Sequence, residues 1–215
     1  MDTILMRIRI YYAKTDILRY TGNLDVHKMW ERTLRRSGLP LAYSQGFHPQ
    51  PKLNQACPLP LGMTSSSEVI DIWLESAFPI ETISAKLARA IPPGIQIQNI
   101  EQIDLDKPSL PTRVISSDYE VLILDPIEFN ELETKVQNLL DSTTLLRNRR
   151  GKNYDLRPLI EAIHMLSKDE SDLCRLSIRL AARNNATGRP EEVVSALGLA
   201  PDAARIHRTA LHFLT

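Results

Sequence analysis

The chain has 215 residues, room for one large domain or two small ones, and its 43% hydrophobic and 24% charged composition belongs to a folded protein rather than a disordered one. Lys plus Arg equals Asp plus Glu at 26 each, which excludes attraction of the molecule as a whole for nucleic acid, membrane surface or acidic substrate. Any such attraction must come from local patches.

The first predicted element is a strand over residues 6–12. Met6, Ile8, Ile10 and Tyr12 alternate with Arg7, Arg9 and Tyr11, the period-two pattern of a half-buried strand. Such an opening reads as a strand rather than a secretory leader. A helix capped by Asn23 follows, with the apolar stripe Val26, Met29, Trp30, Thr33 and Leu34 and a stop at Gly38. Residues 41–43 and 53–56 read as short extended pieces around a proline-rich loop. Residues 68–75 alternate again, a helix from Pro79 buries Ile80, Ile83, Leu87 and Ile91, and residues 95–103 form a strand.

Asp106 to Pro111 reads as a linker, after which the order recurs. A strand at 119–124 leads to a helix with Asp125 as cap, Pro126 at its first position and Glu128 at its third. Candidate strands over 143–149 and 159–166 flank a basic connection through Gly151, and residues 173–182 form the clearest strand, with Cys174, Leu176, Ile178, Leu180 and Ala182 inward. A short helix from Pro190 closes at Gly198, and residues 205–213 form the last strand. The expected fold is therefore α+β, two tandem ferredoxin-like (βαββαβ) lobes with antiparallel sheets, over residues 1–105 and 112–215.

Three patches carry the candidate chemistry. The polar strand faces present Arg7 and Arg9 in the first lobe and Arg175, Arg179 and Arg183 in the second, the kind of surface on which open sheets hold single-stranded RNA. In the first lobe Asp71 and Glu75 on the neighbouring strand are able to neutralise those cations; in the second no acidic partner strand is evident. The connection Arg147, Arg149, Arg150, Lys152, Tyr154 and Arg157 suits a hairpin that tracks phosphates, and Lys28, Arg32, Arg35 and Arg36 form a basic helix stripe. The loop Tyr43 to Lys52 offers Phe47 for stacking, His48 for proton transfer and Lys52 for phosphate, stiffened by Pro49 and Pro51 around Gly46. The blander reading of each patch is a solvated or salt-bridged surface.

Phosphate loops of the Walker type, nucleophile elbows and zinc spacings are missing, so neither cofactor nor metal is expected. Cys57 and Cys174 match no disulfide framework, which points to a reducing, cytoplasmic setting, and no apolar run is long enough to span a bilayer, so no membrane partner is expected.

The runs Thr21-Gly22-Asn23-Leu24-Asp25, Arg32 to Tyr43, Ser44 to Lys52 and Leu59-Pro60-Leu61-Gly62 resemble the bacterial radical-SAM-linked family, a domain of unknown function. Tyr154 to Pro158 and Arg189-Pro190 resemble it more loosely. The resemblance implies an accessory role beside a radical SAM protein in tRNA or rRNA modification. The family's Gly-His-Leu-Asp stands here with Asn23 in place of the histidine, and the cluster-binding cysteines of radical SAM enzymes are missing. The expectation is an RNA-binding accessory protein, with a metal-independent endoribonuclease using His48 and a nucleic-acid-free interaction scaffold as alternatives.

Overall fold

The computed structural model describes residues 6–149, 151–183 and 185–214. The chain divides into two compact units, Met1–Val114 and Ile115–Thr215.

Unit 1 contains β1 (Met6–Lys14), α1 (Asn23–Ser37), β2 (Leu53–Gln55), β3 (Thr64–Leu74), α2 (Ile80–Ala88), β4 (Ile95–Ile103) and the short α3 (Leu110–Arg113). Its strands lie in the order β4-β1-β3-β2, every neighbouring pair antiparallel. One face of β1, Met6, Ile8, Ile10 and Tyr12, packs with Val26, Trp30 and Leu34 of α1, Ile83 and Leu87 of α2 and Ile70, Ile72 and Leu74 of β3. Burying each such side chain contributes about 1.5–3 kcal/mol of transfer free energy, enough to hold both helices on the sheet. The Tyr12 and Trp30 rings meet edge to face at 4.9 Å.

Helix α1 starts one residue earlier than a cap at Asn23 requires. Gly22 occupies the N-cap and Asn23 is the first helical residue, whereas Gly38 ends the helix in the left-handed region at φ 65°. Strand β3 starts at Thr64, ahead of the expected Glu68. Residues 106–111 are tied into unit 1: Arg7 donates to the carbonyls of Lys107 at 2.7 Å and Pro108 at 2.9 Å, and Leu110 is fully buried.

Unit 2 contains β5 (Val114–Ile123), α4 (Phe129–Asp141), β6 (Leu146–Arg149), β7 (Lys152–Asp155), β8 (Ile160–Leu166), β9 (Arg175–Arg183), β10 (Ala186–Thr187), α5 (Pro190–Ala196) and β11 (Ala204–Phe213). The order is β11-β5-β9-β8, and β10 pairs with the end of β9. The inward residues expected of the 173–182 segment, Cys174, Leu176, Ile178, Leu180 and Ala182, are all buried.

Two expectations are corrected here. Residues 143–149 do not supply a sheet strand: β6 pairs with β7 in a separate two-stranded hairpin closed at Gly151, φ 77°. The hairpin has too few apolar side chains to seat in a core, and Leu146 is exposed. Helix α4 begins at Phe129 after Glu128, not after an Asp125 cap. Neither Cys57 nor Cys174 is in a disulfide. Among the described residues no helix is long and apolar enough to cross a membrane, and no three His, Cys, Asp or Glu groups cluster as metal ligands.

Candidate functional site

The arginines of the first sheet face inward rather than toward solvent. Arg7 and Arg9 are 2% and 7% exposed, and Asp71, directly opposite Arg9 in the β1–β3 register, is 0% exposed. Arg7 donates to Asp71 Oδ2 from Nε at 3.0 Å and Nη2 at 2.6 Å; Arg9 donates to Oδ1 from Nε at 2.8 Å and to Oδ2 from Nη2 at 3.0 Å. The Trp73 ring covers the Arg7 guanidinium at 5.2 Å. Burial works against the Arg9 charge, yet Asp71 holds its pKa above the ordinary guanidinium value. The expected RNA contacts at Arg7 and Arg9 are therefore corrected to a structural ion cluster, because a buried carboxylate already takes their donors.

The arginines of the second sheet face are paired too, though more exposed. Arg175 pairs with Glu120 at 3.0 Å, Arg179 with Asp118 at 2.7 Å and Arg183 with Glu161 at 2.9 Å. His212 Nε2 also lies 2.9 Å from Asp118 Oδ2. Arg179, with His212 assisting, holds the Asp118 carboxyl below the usual carboxylate range. An acidic partner set thus exists on β5 and β8, and these arginines offer phosphates little uncompensated charge.

The remaining unit 1 candidates come together differently. The loop Tyr43 to Lys52 is closed by its own backbone: Ser44 N–H donates to the Gln50 carbonyl at 2.8 Å, Gln50 N–H to Ser44 Oγ at 3.0 Å, and Tyr43 bridges to Pro51. Its base continues onto the sheet, where Lys52 N–H donates to Ala42 O at 2.7 Å and Ala42 N–H to Trp73 O at 2.9 Å. Gly46 turns the tip at φ 131°, a conformation that disfavours a side chain. The tip holds Phe47 fully out in solvent, with His48 exposed beside it. Lys52 Nζ stands 4.9 Å over the Trp73 ring, which fixes a cation at the foot of the loop.

The basic stripe of α1 reaches the same loop, since Arg35 donates to the side-chain oxygen of Gln50. Lys28 and Arg32 are exposed and engage no side-chain partner among the described residues. Arg36 donates to Ala90 O at 2.9 Å, which leaves it less free than its place in the stripe implies. The His48 ring likewise meets no hydrogen-bonding group among the described residues.

In unit 2, Arg149 and Lys152 face a cavity of about 500 Å³ together with Tyr154, Asp155, Thr187 and Arg189. Arg150 lies outside the described residues. Arg147 is spent on α5, its Nε 3.6 Å from Glu192 Oε2 and its Nη2 donating to Glu192 O at 3.1 Å. Asp71 stands opposite Arg9 as the expected strand order implies, whereas nothing in the sequence signals that Asp118 holds Arg179 or that Lys14, 1% exposed, donates to Thr21 O at 2.9 Å and Met63 O at 3.1 Å.

Among solved structures, the chain is similar to a protein of an H/ACA ribonucleoprotein bound to a substrate RNA containing 2'-deoxyuridine, at 10% identity and TM-score 0.47, covering 94% of this chain and 46% of that one. It spans less than half of that protein's length. A chain assigned as a glycine cleavage system transcriptional repressor is similar at 11% identity and TM-score 0.24, with 98% of each chain covered. Neither likeness is close enough to carry an argument about function, and no curated protein matches the sequence. Residues 7–190 match the family described as an uncharacterized protein conserved in bacteria, DUF2344, and the chain belongs to that family.

Proposed function

We propose that the chain is an RNA-binding protein that holds single-stranded RNA on unit 1, with Phe47 stacking on a base and Lys28, Arg32 and Lys52 taking phosphates. The observation that carries this reading is the braced loop: a fully exposed phenyl ring at its tip, an aromatic-backed lysine at its foot, and a hydrogen bond from its Gln50 to the basic stripe of α1. Burying the phenyl in a core is worth about 1.5–3 kcal/mol, and stacking an RNA base recovers a similar amount, about 1–3 kcal/mol. The surrounding backbone bonds limit the entropy lost on binding.

The working partner in this proposal is a radical SAM protein acting on tRNA or rRNA, supported by the motif resemblance alone. Its setting is cytoplasmic, supported by two cysteines that form no disulfide. The finer fold assignment, ferredoxin-like for both units, is supported by the strand orders β4-β1-β3-β2 and β11-β5-β9-β8, the spatial order 4-1-3-2 in each.

Filter binding of an unstructured oligoribonucleotide over a salt series tests the reading. Three phosphate contacts give a slope of log affinity on log salt near −2, from about −0.7 per contact on single strands. Phe47→Ala is expected to weaken binding about tenfold with that slope unchanged, because stacking releases no counterions. A slope near zero, or a Phe47→Ala protein that binds like wild type, overturns the reading.

A further inference from the structure

A second site lies in unit 2, and it differs in shape from the loop of unit 1. The hairpin β6–β7, Leu159 and the segment from Asn185 to Arg189 line an open cavity of about 500 Å³. This is ligand-pocket size, within the roughly 300–1,000 Å³ that such sites occupy.

Its charge is positive. Arg149 and Lys152 line it, and their side chains engage no hydrogen-bond or ion-pair partner among the described residues. Arg189 lines it as well, sharing its Nη1 with Glu191 at 3.5 Å. The one acidic lining residue, Asp155, is already committed through its Oδ1, which accepts from Leu145 N at 2.8 Å and Arg157 N at 3.0 Å. Arg147 Nε stands 3.6 Å from Glu192 Oε2. Three cations against one committed carboxylate favour a dianion, and the guanidinium forks match phosphoryl oxygens.

Tyr154 supplies the aromatic surface. Burial, with the Glu192 charge adding to it, pushes its phenol up against the opposing pull of Arg147, Arg149 and Arg189, so the hydroxyl stays a donor. A Cβ on Gly188 would lie 3.1 Å from both Leu159 O and Leu180 Cβ, so the segment carrying Thr187 and Arg189 is pressed directly on Leu159 and Leu180. Asn185, in the left-handed region at φ 67°, turns the rim and lines the cavity with a side-chain amide.

We propose that this cavity binds one phosphate-bearing nucleoside, with the phosphomonoester between Arg149, Lys152 and Arg189 and the base against Tyr154. The ligand is a free nucleoside monophosphate or the phosphorylated end of an RNA, which share this chemistry. No residue of the site belongs to the loop of unit 1, so the two proposals stand or fall separately.

Calorimetric titration of the full chain with AMP, adenosine and inorganic phosphate tests it. One AMP is expected per chain, with adenosine at least tenfold weaker, and Arg149→Ala and Lys152→Ala each weakening AMP by about tenfold or more, as loss of a charged hydrogen bond implies. Phe47→Ala leaves AMP binding unchanged. A 5'-phosphorylated oligoribonucleotide that displaces AMP identifies an RNA end as the source, and one that does not identifies the free nucleotide; both outcomes support the site. No AMP binding, adenosine binding as tightly as AMP, or full AMP affinity in both variants overturns it. Lys152 is exposed, and an unchanged melting temperature of Lys152→Ala separates lost binding from lost folding.

Discussion

Asp71→Ala is the sharpest perturbation of the account of unit 1. The carboxylate accepts four guanidinium bonds of 2.6–3.0 Å from Arg7 and Arg9 at a site with no solvent access. Removing it strands two buried cations, and breaking a buried pair in this way costs about 3–5 kcal/mol. Arg7 retains the Lys107 and Pro108 carbonyls and the Trp73 face, which places the loss toward the lower end, roughly 3–4 kcal/mol. At about 2–4 °C per kcal/mol for a chain of this size, Tm falls by roughly 6–16 °C in scanning calorimetry. The companion triple variant Arg7→Met, Arg9→Met, Asp71→Leu removes all the charges together and is expected within about 1 kcal/mol of wild type. A loss below about 1 kcal/mol in Asp71→Ala, or a triple variant worse than the single one, refutes the reasoning.

Other perturbations probe other parts of the molecule. Arg179, then His212, depress the Asp118 pKa, so the folded carboxylate binds its proton more weakly than the unfolded one. The resulting stability is full above the unfolded value of about 3.9 and is lost as pH falls through the folded value. Arg179→Ala therefore lowers the denaturation midpoint at pH 7 and hardly at pH 2; an equal loss at both contradicts the pairing. Gly94→Ala puts a Cβ 2.5 Å from Leu18 Cγ at φ 94°, and thermal melting should show a loss above about 1 kcal/mol, whereas an unchanged Tm refutes the close approach. RNA incubated with the chain in chelator is expected to stay intact, and cleavage that disappears in His48→Ala would restore the ribonuclease alternative.

The apolar halves of the fold were legible in the sequence because periodicity reports burial. Met6, Ile8, Ile10 and Tyr12, and the alternating residues from Cys174 to Ala182, are buried where period two puts them. The polar halves were legible only in part: the expected strand order puts Asp71 beside Arg7 and Arg9, where it pairs with them, but period two alone does not say whether a second face meets water or an ion pair. Arg9 and Asp71 stand 62 residues apart and become partners only through the β1–β3 register. Starting the first strand of unit 2 at Tyr119 left Asp118 outside it, which hid the carboxylate that holds Arg179. The turn at Gly151 is legible as a hairpin, but its short polar runs carry no apolar signal to say that residues 146–149 pair with 152–155 instead of joining the sheet. The loop Tyr43 to Lys52 was legible in composition, since Gly46 and the prolines mark a shaped turn. Its link to α1 through Arg35 and Gln50 is a tertiary fact.

Relocating the cationic surface is the central claim, and two double variants test it directly by removing the same charge from different places. Arg32→Ala with Lys52→Ala is expected to weaken oligoribonucleotide binding at low salt by about tenfold or more and to flatten the salt slope by about 1.4. Arg179→Ala with Arg183→Ala is expected to leave affinity within about twofold, since carboxylates already neutralise both groups. Equal losses in the two proteins, or a greater loss in the second, would contradict the account.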